Sequence, residues 1–426
     1  MAADDYDTAQ ELAERILGAD DATAEVRCRA FEIVGRSNRS TDLTVGRAAF
    51  ERALVTAESA DLPLWRMRAL HELGTIDMFD HAGVDRLLQA RRSSEQMGAL
   101  STAAILDLQL AAAFTCRWDL HACDAHASSA IAVAERLGLS QVRAQALVLL
   151  TGSAGMRADL AETERYAALT LAAGPGDKML EGFCWGMRGT ALLLAGDADG
   201  SIEPWSRGIA ILGRLPHAEP AALRALWPLV LAARGDRRAQ SAINEARRLG
   251  VAGFHLNRAM IDYSEAILVG RRGDRLRAQD LVAGADSGWT NCDGWADLAR
   301  LLAAPAALTD GWADPQSWLN DAPARFAGRG LPAIARQCEE LLRSTTPNPW
   351  SGVGVSAREA DVLRLVGEGL PNKAIATRLH LSPRTVEKHV ESLLRKTGTR
   401  SRTELATRLM ATPGPTGKPT PPGAAT

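Results

Sequence analysis

The chain has little that would build a β-protein or a membrane protein. Aromatic residues are 5% of its 426 positions, and Ala and Leu dominate the apolar share, a balance that favours helix over sheet. No useful length alternates apolar and polar residues, so half-buried strands are not expected. No apolar run is long enough to span a bilayer. The opening Met1-Ala2-Ala3-Asp4-Asp5 lacks the positive, apolar, small-residue order of a leader. The six cysteines, at 28, 116, 123, 184, 292 and 338, include no pair with metal-knuckle spacing. A cytoplasmic protein with reduced thiols is the expectation. Gly174-Pro175-Gly176-Asp177-Lys178 lacks the Gly-x4-Gly-Lys-Ser/Thr spacing of a phosphate loop and a preceding strand. No cofactor is therefore expected. No acid, base or nucleophile set converges, so the chain does not read as an enzyme.

What is present is unevenly distributed. The hydrophobic share of 46% suffices for large cores, and the length implies two or more units. A net charge of -2 argues by itself against a nucleic-acid binder. Between Val355 and Met410, however, eleven Lys and Arg face six Asp and Glu, a local +5 that leaves -7 for the remainder. A basic module on an acidic body is the electrostatic footprint of a DNA reader attached to something else.

From about residue 25 to 340 apolar residues recur at three and four, as in Ile202, Trp205, Ile209 and Leu212. Acidic turns punctuate this pattern at Asp42, Asp80, Asp119, Asp159, Asp197, Asp236 and Asp274, at intervals of 38 to 40 residues. Three of them are Gly-Asp pairs: 196–197, 235–236 and 273–274. Gly can end one helix in the left-handed conformation, and Asp can cap the next by accepting from its free amides. Each interval holds a helical hairpin, which buries its apolar face only against stacked neighbours, as in a solenoid. The alternative is an irregular helical domain. The segment Trp185-x-x-Arg188-Gly189-x-x-Leu192 resembles the tetratricopeptide motif, although the period exceeds the usual ~34. The ten Trp read as repeat-core fillers, a few of them as lining for a concave groove. Cys116, His121, Cys123 and His126 fit no zinc pattern and do not share one helix face. They read as packing residues, and no metal is expected. The period fades after Asp274, and a last helix, about Pro332 to Arg343, reads as the cap.

Residues 344–354, with Pro347, Pro349 and Gly352, read as a linker. Beyond it, Ser356-Ala357-Arg358-Glu359 is a capping box for a helix with Val362, Leu363, Leu365 and Val366 as its buried stripe. Gly369 stops that helix. Asn372 caps a short one, Lys373 to Leu379. After the turn His380-Leu381, Ser382 caps a third helix, with Pro383 at its first position and Gly398 at its close. Val386, Val390, Leu393 and Thr397 share one face; Arg384, Glu387, Lys388, Glu391 and Arg395 share the other. Two short helices joined by a tight turn, the second with a charged outer face, are the geometry that enters a major groove. Ser401-Arg402-Thr403-Glu404 is a second capping box, opening a fourth helix with Leu405 and Leu409. The stretch 411–426, with five Pro and three Gly, reads as a disordered tail.

Residues 355–410 resemble the LuxR-type helix-turn-helix domain. The matching stretches are Ser356-x-Arg358-Glu359-x-x-Val362-Leu363, Gly369-Leu370-Pro371-Asn372-Lys373-x-Ile375-Ala376, Leu381-Ser382-x-x-Thr385-Val386-x-x-His389-Val390 and Lys396-x-Gly398-x-x-Ser401-Arg402. The resemblance implies that Glu387, Lys388 and Glu391 face base edges. It implies that Arg384, Thr385, His389 and Lys396 sit near phosphates, within a DNA-binding set that also holds Asn372, Lys373, Ser382, Val386 and Arg395. Carboxylates at 387 and 391 would accept from cytosine amines; alternatively Glu387 and Lys388 pair only with neighbours. An apolar pair on a short terminal helix must be covered, and part of it is expected to rest on the helix from Ser356; the resemblance implies that this fourth helix forms a dimer contact through Leu405 and Leu409, bordered by Arg402 and Glu404. Large regulators of this type carry an ATP-binding domain ahead of a tetratricopeptide-like array; the expectation for this sequence is an array and a reader without a nucleotide switch.

The expected architecture is therefore all-α: a tetratricopeptide-like helical-hairpin solenoid over 1–343, then a four-helix LuxR-type helix-turn-helix domain. The expected function is transcription regulation by a homodimer on double-stranded DNA. The array would bind a protein, peptide or small-molecule effector, and RNA polymerase is a further candidate partner. The rival reading is a protein-interaction scaffold tethered to DNA by a weakly specific module.

Overall fold

The computed structural model describes residues 3–38, 42–213, 221–345, 355–379 and 381–411. The chain divides into two compact units, Met1–Leu341 and Leu342–Thr426. Every regular element among the described residues is helical, with no strand. The expected linker is described only at 344–345, which are the last two residues of a helix that begins at Pro332. The expected tail is described only at 411, and His380 also lies outside the described residues.

The first unit begins with α1 (Ala3–Leu17), α2 (Ala24–Asn38) and α3 (Leu43–Ser59), and continues as hairpins. Their first helices are α4 (Pro63–His81), α6 (Leu100–Cys116), α8 (Ser140–Met156), α10 (Lys178–Leu194), α12 (Ala221–Arg234) and α14 (His255–Arg271). Their second helices are α5 (Asp85–Gln96), α7 (Leu120–Leu137), α9 (Leu160–Ala173), α11 (Ile202–Leu212), α13 (Ala239–Arg248) and α15 (Arg275–Asp286). Successive first helices pack on one another and form an inner layer, with the second helices outside. Where the sequence period fades, α16 (Asp293–Asp310) is a full helix in spite of Pro305 inside it. Short α17 (Pro315–Leu319) and α18 (Ala322–Gly328) follow, then α19 (Pro332–Thr345), two residues longer than expected at its C-terminal end.

The turn chemistry holds in part. Gly196, Gly235 and Gly273 have φ of 93°, 72° and 90°, the left-handed region that ends a helix without a Cβ clash. Asp42, Asp119, Asp159 and Asp274 cap the helices that follow; the Asp159 carboxylate, for example, accepts from the Glu162 amide at 3.0 Å. Each such cap contributes about 1 kcal/mol. Asp197 and Asp236 accept amides of Gly200 and Arg238 inside the turn, ahead of the helix start. Asp80 is the exception to the expected pattern. It sits in the last turn of α4, and its carboxylate meets Arg47 and His255, each at 3.1 Å.

Side chains also couple neighbours one period apart. Arg68 binds Glu32 at 2.7 Å, Arg36 binds Glu72 at 2.7 Å, and Arg117 donates to the Ala82 carbonyl at 3.3 Å. The Trp205 ring lies on Gly189, and its Nε1 donates to the Gly186 carbonyl at 2.7 Å. Of the Cys/His cluster, His126 stacks on Phe114 and bonds buried Asp107 at 2.6 Å, while Cys123 accepts from Thr115. Burial would raise the Asp107 carboxyl, but bonds from His126, Arg91 and Ser129 outweigh it and hold it below the usual range. Most tryptophans are core residues, with Trp205 and Trp312 fully buried.

Candidate nucleic-acid interface

The second unit is built from α20 (Ala357–Gly367), α21 (Asn372–Leu379), α22 (Pro383–Thr397) and α23 (Arg402–Ala411). Its core joins Val362, Leu363, Leu365 and Val366 of α20 to Ile375 and Ala376 of α21, Val386, Val390 and Leu393 of α22, and Leu405 of α23. The periodicity of each short helix thus points to one centre.

Ser356 and Glu359 form the expected reciprocal capping box: the hydroxyl accepts from the Glu359 amide at 3.3 Å and the carboxylate from the Ser356 amide at 2.8 Å. The same carboxylate accepts from Lys396 at 2.6 Å. Burial alone would raise the Glu359 carboxyl; the Lys396 ammonium, the Ser356 amide and the Ser392 and Ser356 hydroxyls outweigh it and bring it down to about 2. This cluster fastens the C-terminal end of α22 to the start of α20. A second fastening is Arg402, which donates to the Asn372 side chain at 2.7 Å and to the Leu370 carbonyl. A third is Arg358, whose guanidinium donates to the Leu379 carbonyl at 2.7 Å.

With its inner face held, α22 offers its outer face to solvent. Ser382 caps it, accepting from the Thr385 amide at 3.1 Å, and Gly398 closes it in the left-handed conformation. Arg384, Glu387, Lys388, Glu391 and Arg395 are all exposed. None of the five has an ion pair or side-chain hydrogen bond with a described residue, so nothing in the structure supports pairing of Glu387 and Lys388 with neighbours. Lys373 is exposed at the start of α21, and His389 is half-buried between the two faces of α22. The Thr385 hydroxyl is engaged by Ser382 at 2.7 Å.

Several expected site residues have other work. Val386 is fully buried in the core, so its side chain packs and does not reach a DNA surface. Lys396 is bound to Glu359 and is not a free cation. Asn372 is the first residue of α21, whose opening amides bond the Pro371 carbonyl, and its side chain accepts from Arg402; it sets the loop ahead of α21. Leu405 is 1% exposed in the core against α20, which removes it from a dimer contact. Arg402, half-buried, serves as an internal fastening through Asn372 and Leu370. Glu404 completes only half of the second capping box: Ser401 accepts its amide, but its carboxylate accepts from Arg400. Leu409 lies on α23, with its side chain outside the described residues. Sequence reasoning missed the Lys396–Glu359 and Arg402–Asn372 pairs, 37 and 30 residues apart. No local sequence signal marks either pair.

The pattern of the bacterial regulatory proteins of the luxR family matches residues 354–409. The response regulator Rre1 of a Synechocystis strain is 54% identical over 61 residues, which are 14% of this chain and 26% of that protein. The nitrate/nitrite response regulator protein NarL of Escherichia coli K12 is 46% identical over 52 residues, 12% of this chain and 24% of NarL. The chain thus spans about a quarter of the length of these two relatives. The nitrate/nitrite response regulator protein NarP of Escherichia coli K12 is 32% identical over 183 residues, 41% of this chain and 78% of NarP. A folded four-helix module in which every matched stretch has a defined place, together with these similarities, identifies the chain as a member of the luxR family of bacterial regulatory proteins.

Proposed function

We propose that the protein is a DNA-binding transcription regulator of the cytoplasm. In this reading α22 lies in the major groove of duplex DNA, and the helical array carries the effector-sensing role. The observation that carries it is the outer face of α22: five exposed charged side chains without internal partners, on a helix whose opposite face is locked into a core. Opposite charges three or four residues apart on a helix can pair; here Arg384, Lys388 and Arg395 make no such pair with a described residue and are left for phosphates or base edges. Lys388 would donate to guanine, and Glu387 and Glu391 would accept from cytosine amines. Lys373 would reach the backbone from the start of α21. Two copies would bind paired half-sites about one helical turn apart. No helix among the described residues is long and apolar enough to cross a membrane.

The test is selection of bound sequences from random duplexes, followed by gel-shift titration on the enriched site. A regulator enriches a two-fold related site. A tethered scaffold binds random and selected DNA alike, and that result would remove the reading.

A further inference from the structure

The array does more than stack. The start of α14 returns to the end of α4, so that the inner helices close into a ring. Phe254 packs on Phe79 with ring centres 4.5 Å apart, and His255 meets Asp80 at 3.1 Å. Asn291 donates to the His81 carbonyl at 2.9 Å, and Trp295 lies against Trp118 with centroids 4.9 Å apart. These contacts join residues about 175 to 210 positions apart in the sequence, which sequence periodicity alone does not foretell. Inside the ring is a chamber of about 550 Å³, walled by α4, α6, α8, α10, the start of α14 and the turn before α16. Its volume lies within the range of small-molecule sites, roughly 300–1,000 Å³.

We propose that this chamber binds one small, uncharged, largely apolar molecule carrying a hydrogen-bonding group. The proposal rests on the reading of the array as the sensing module and names what it senses. The wall chemistry sets the ligand class. Val148, Leu149, Met179, Phe183 and Met187 make it apolar, and unbranched Met side chains adapt to a ligand's outline. None of the described tryptophans lines it, contrary to the expectation of a tryptophan groove. Three side-chain amides reach it. Gln145 has no partner among the described residues, Gln109 accepts from Thr75, and Asn257 donates to the Val251 carbonyl with its own oxygen left over. No Lys or Arg lines the chamber, and its one carboxylate, Asp80, is already engaged by Arg47 and His255. The histidines on the wall, His81 and His255, both stand beside Asp80, at 3.7 and 3.1 Å. A phosphate or carboxylate would meet that carboxylate together with the rings and find no guanidinium or ammonium, which disfavours an anion in such surroundings. An empty chamber would hold about 18 waters at ~30 Å³ each. Those against the apolar wall find few partners on it, so an apolar ligand that displaces them gains affinity.

Two features make the site testable. A Cβ at Gly152 would meet only the Met187 sulfur, at 3.6 Å, so a larger side chain there grows into the chamber and leaves the helix backbone undisturbed. Cys116 on the wall is the one half-buried cysteine of six, and burial pushes its thiol up to about 11, so its alkylation is slow. The probe is N-phenyl-1-naphthylamine, neutral and with a single N–H, titrated into the full chain by fluorescence. Saturable binding of one probe per chain is expected, with slower N-ethylmaleimide alkylation of Cys116. Gly152→Phe should weaken binding at least tenfold with an unchanged helical melt, and Gly152→Ala should keep it. Ala112→Phe, on the neighbouring wall, replaces Gly152→Phe if that variant does not fold. The anionic 1-anilinonaphthalene-8-sulfonate should bind at least tenfold more weakly than the neutral probe. Absence of saturable binding, binding that folded Gly152→Phe and Ala112→Phe both retain, or alkylation of Cys116 that the probe leaves unchanged overturns the chamber; equal binding of the anionic probe overturns its specification as uncharged. A gel shift on the selected DNA, with and without probe, separates the two readings. DNA binding with no probe binding removes the chamber and leaves the regulator. Probe binding that leaves DNA affinity unchanged keeps the chamber and removes its sensing role.

Discussion

Lys396 decides between two roles that the sequence left to a resemblance: a phosphate contact or an internal fastening. The perturbation is Lys396→Met, which keeps most of the aliphatic stem and removes the ammonium. Glu359 is 5% exposed and has its carboxyl brought down to about 2 from the ordinary 4.5. That depression, about 2.5 units at 1.36 kcal/mol each, corresponds to roughly 3 kcal/mol at neutral pH, shared among Lys396, one amide and two hydroxyls. Lys396 is the strongest of the favourable partners, and its loss leaves a buried carboxylate under-compensated. The expected cost is about 2 kcal/mol, or roughly 30-fold in the opening equilibrium of the module. Hydrogen exchange followed by mass spectrometry on the full chain reads this directly: α20 and α22 peptides should exchange about 30-fold faster, with the array unchanged. DNA affinity, measured where the module remains folded, should change little, and so should its salt slope. Unchanged exchange, with affinity reduced and the salt slope lower by about one, would show that Lys396 serves a phosphate and that the fastening contributes nothing.

The same carboxylate gives an acid dependence. Its folded value lies below its unfolded one, so its contribution is complete above about pH 5, declines as pH falls and is gone near pH 2; Glu359→Gln should flatten this loss in α20 exchange. Gly189→Ala would put a Cβ 1.8 Å from the Trp205 ring, which must then leave its bond to the Gly186 carbonyl. The array should lose about 1–3 kcal/mol in a denaturant titration, and an unchanged midpoint would show that the ring has room to move. Lys388→Ala should cost about 1–3 kcal/mol on the selected DNA and relax preference at one base pair; uniform weakening on all sequences would make it a phosphate contact. DNA affinity should fall roughly 10³- to 10⁵-fold between 50 and 200 mM salt if a dimer neutralises about 6–10 phosphates, and a shallow slope would exclude that footprint. Leu409→Glu should abolish cooperative binding to paired half-sites and spare a single half-site; loss on both would place Leu409 with Leu405 in the core.

By itself the sequence determined what depends on neighbours a few residues apart. The heptad-like spacing of Val386, Val390, Leu393 and Thr397 specified the buried face of α22, because a helix returns to the same side every three or four residues. Ser356, Ser382 and Gly398 marked their helix ends, because capping uses amides within one turn. The Gly-Asp turns gave the repeat for the same reason, and Asp80 failed because nothing local distinguishes a cap from a helix-end carboxylate that serves a distant cation. Only the tertiary structure decided that Lys396 belongs to Glu359 and Arg402 to Asn372, since either side chain could equally have faced solvent on its own helix. Leu405 is the same case: an apolar residue on a short helix must be covered, and whether by its own module or by a second copy depends on where α20 lies. The chamber is the furthest from local control. It exists because small rotations between successive hairpins bring Phe254 back to Phe79, and such accumulated rotation is a property of packed helices that no single stretch of sequence carries.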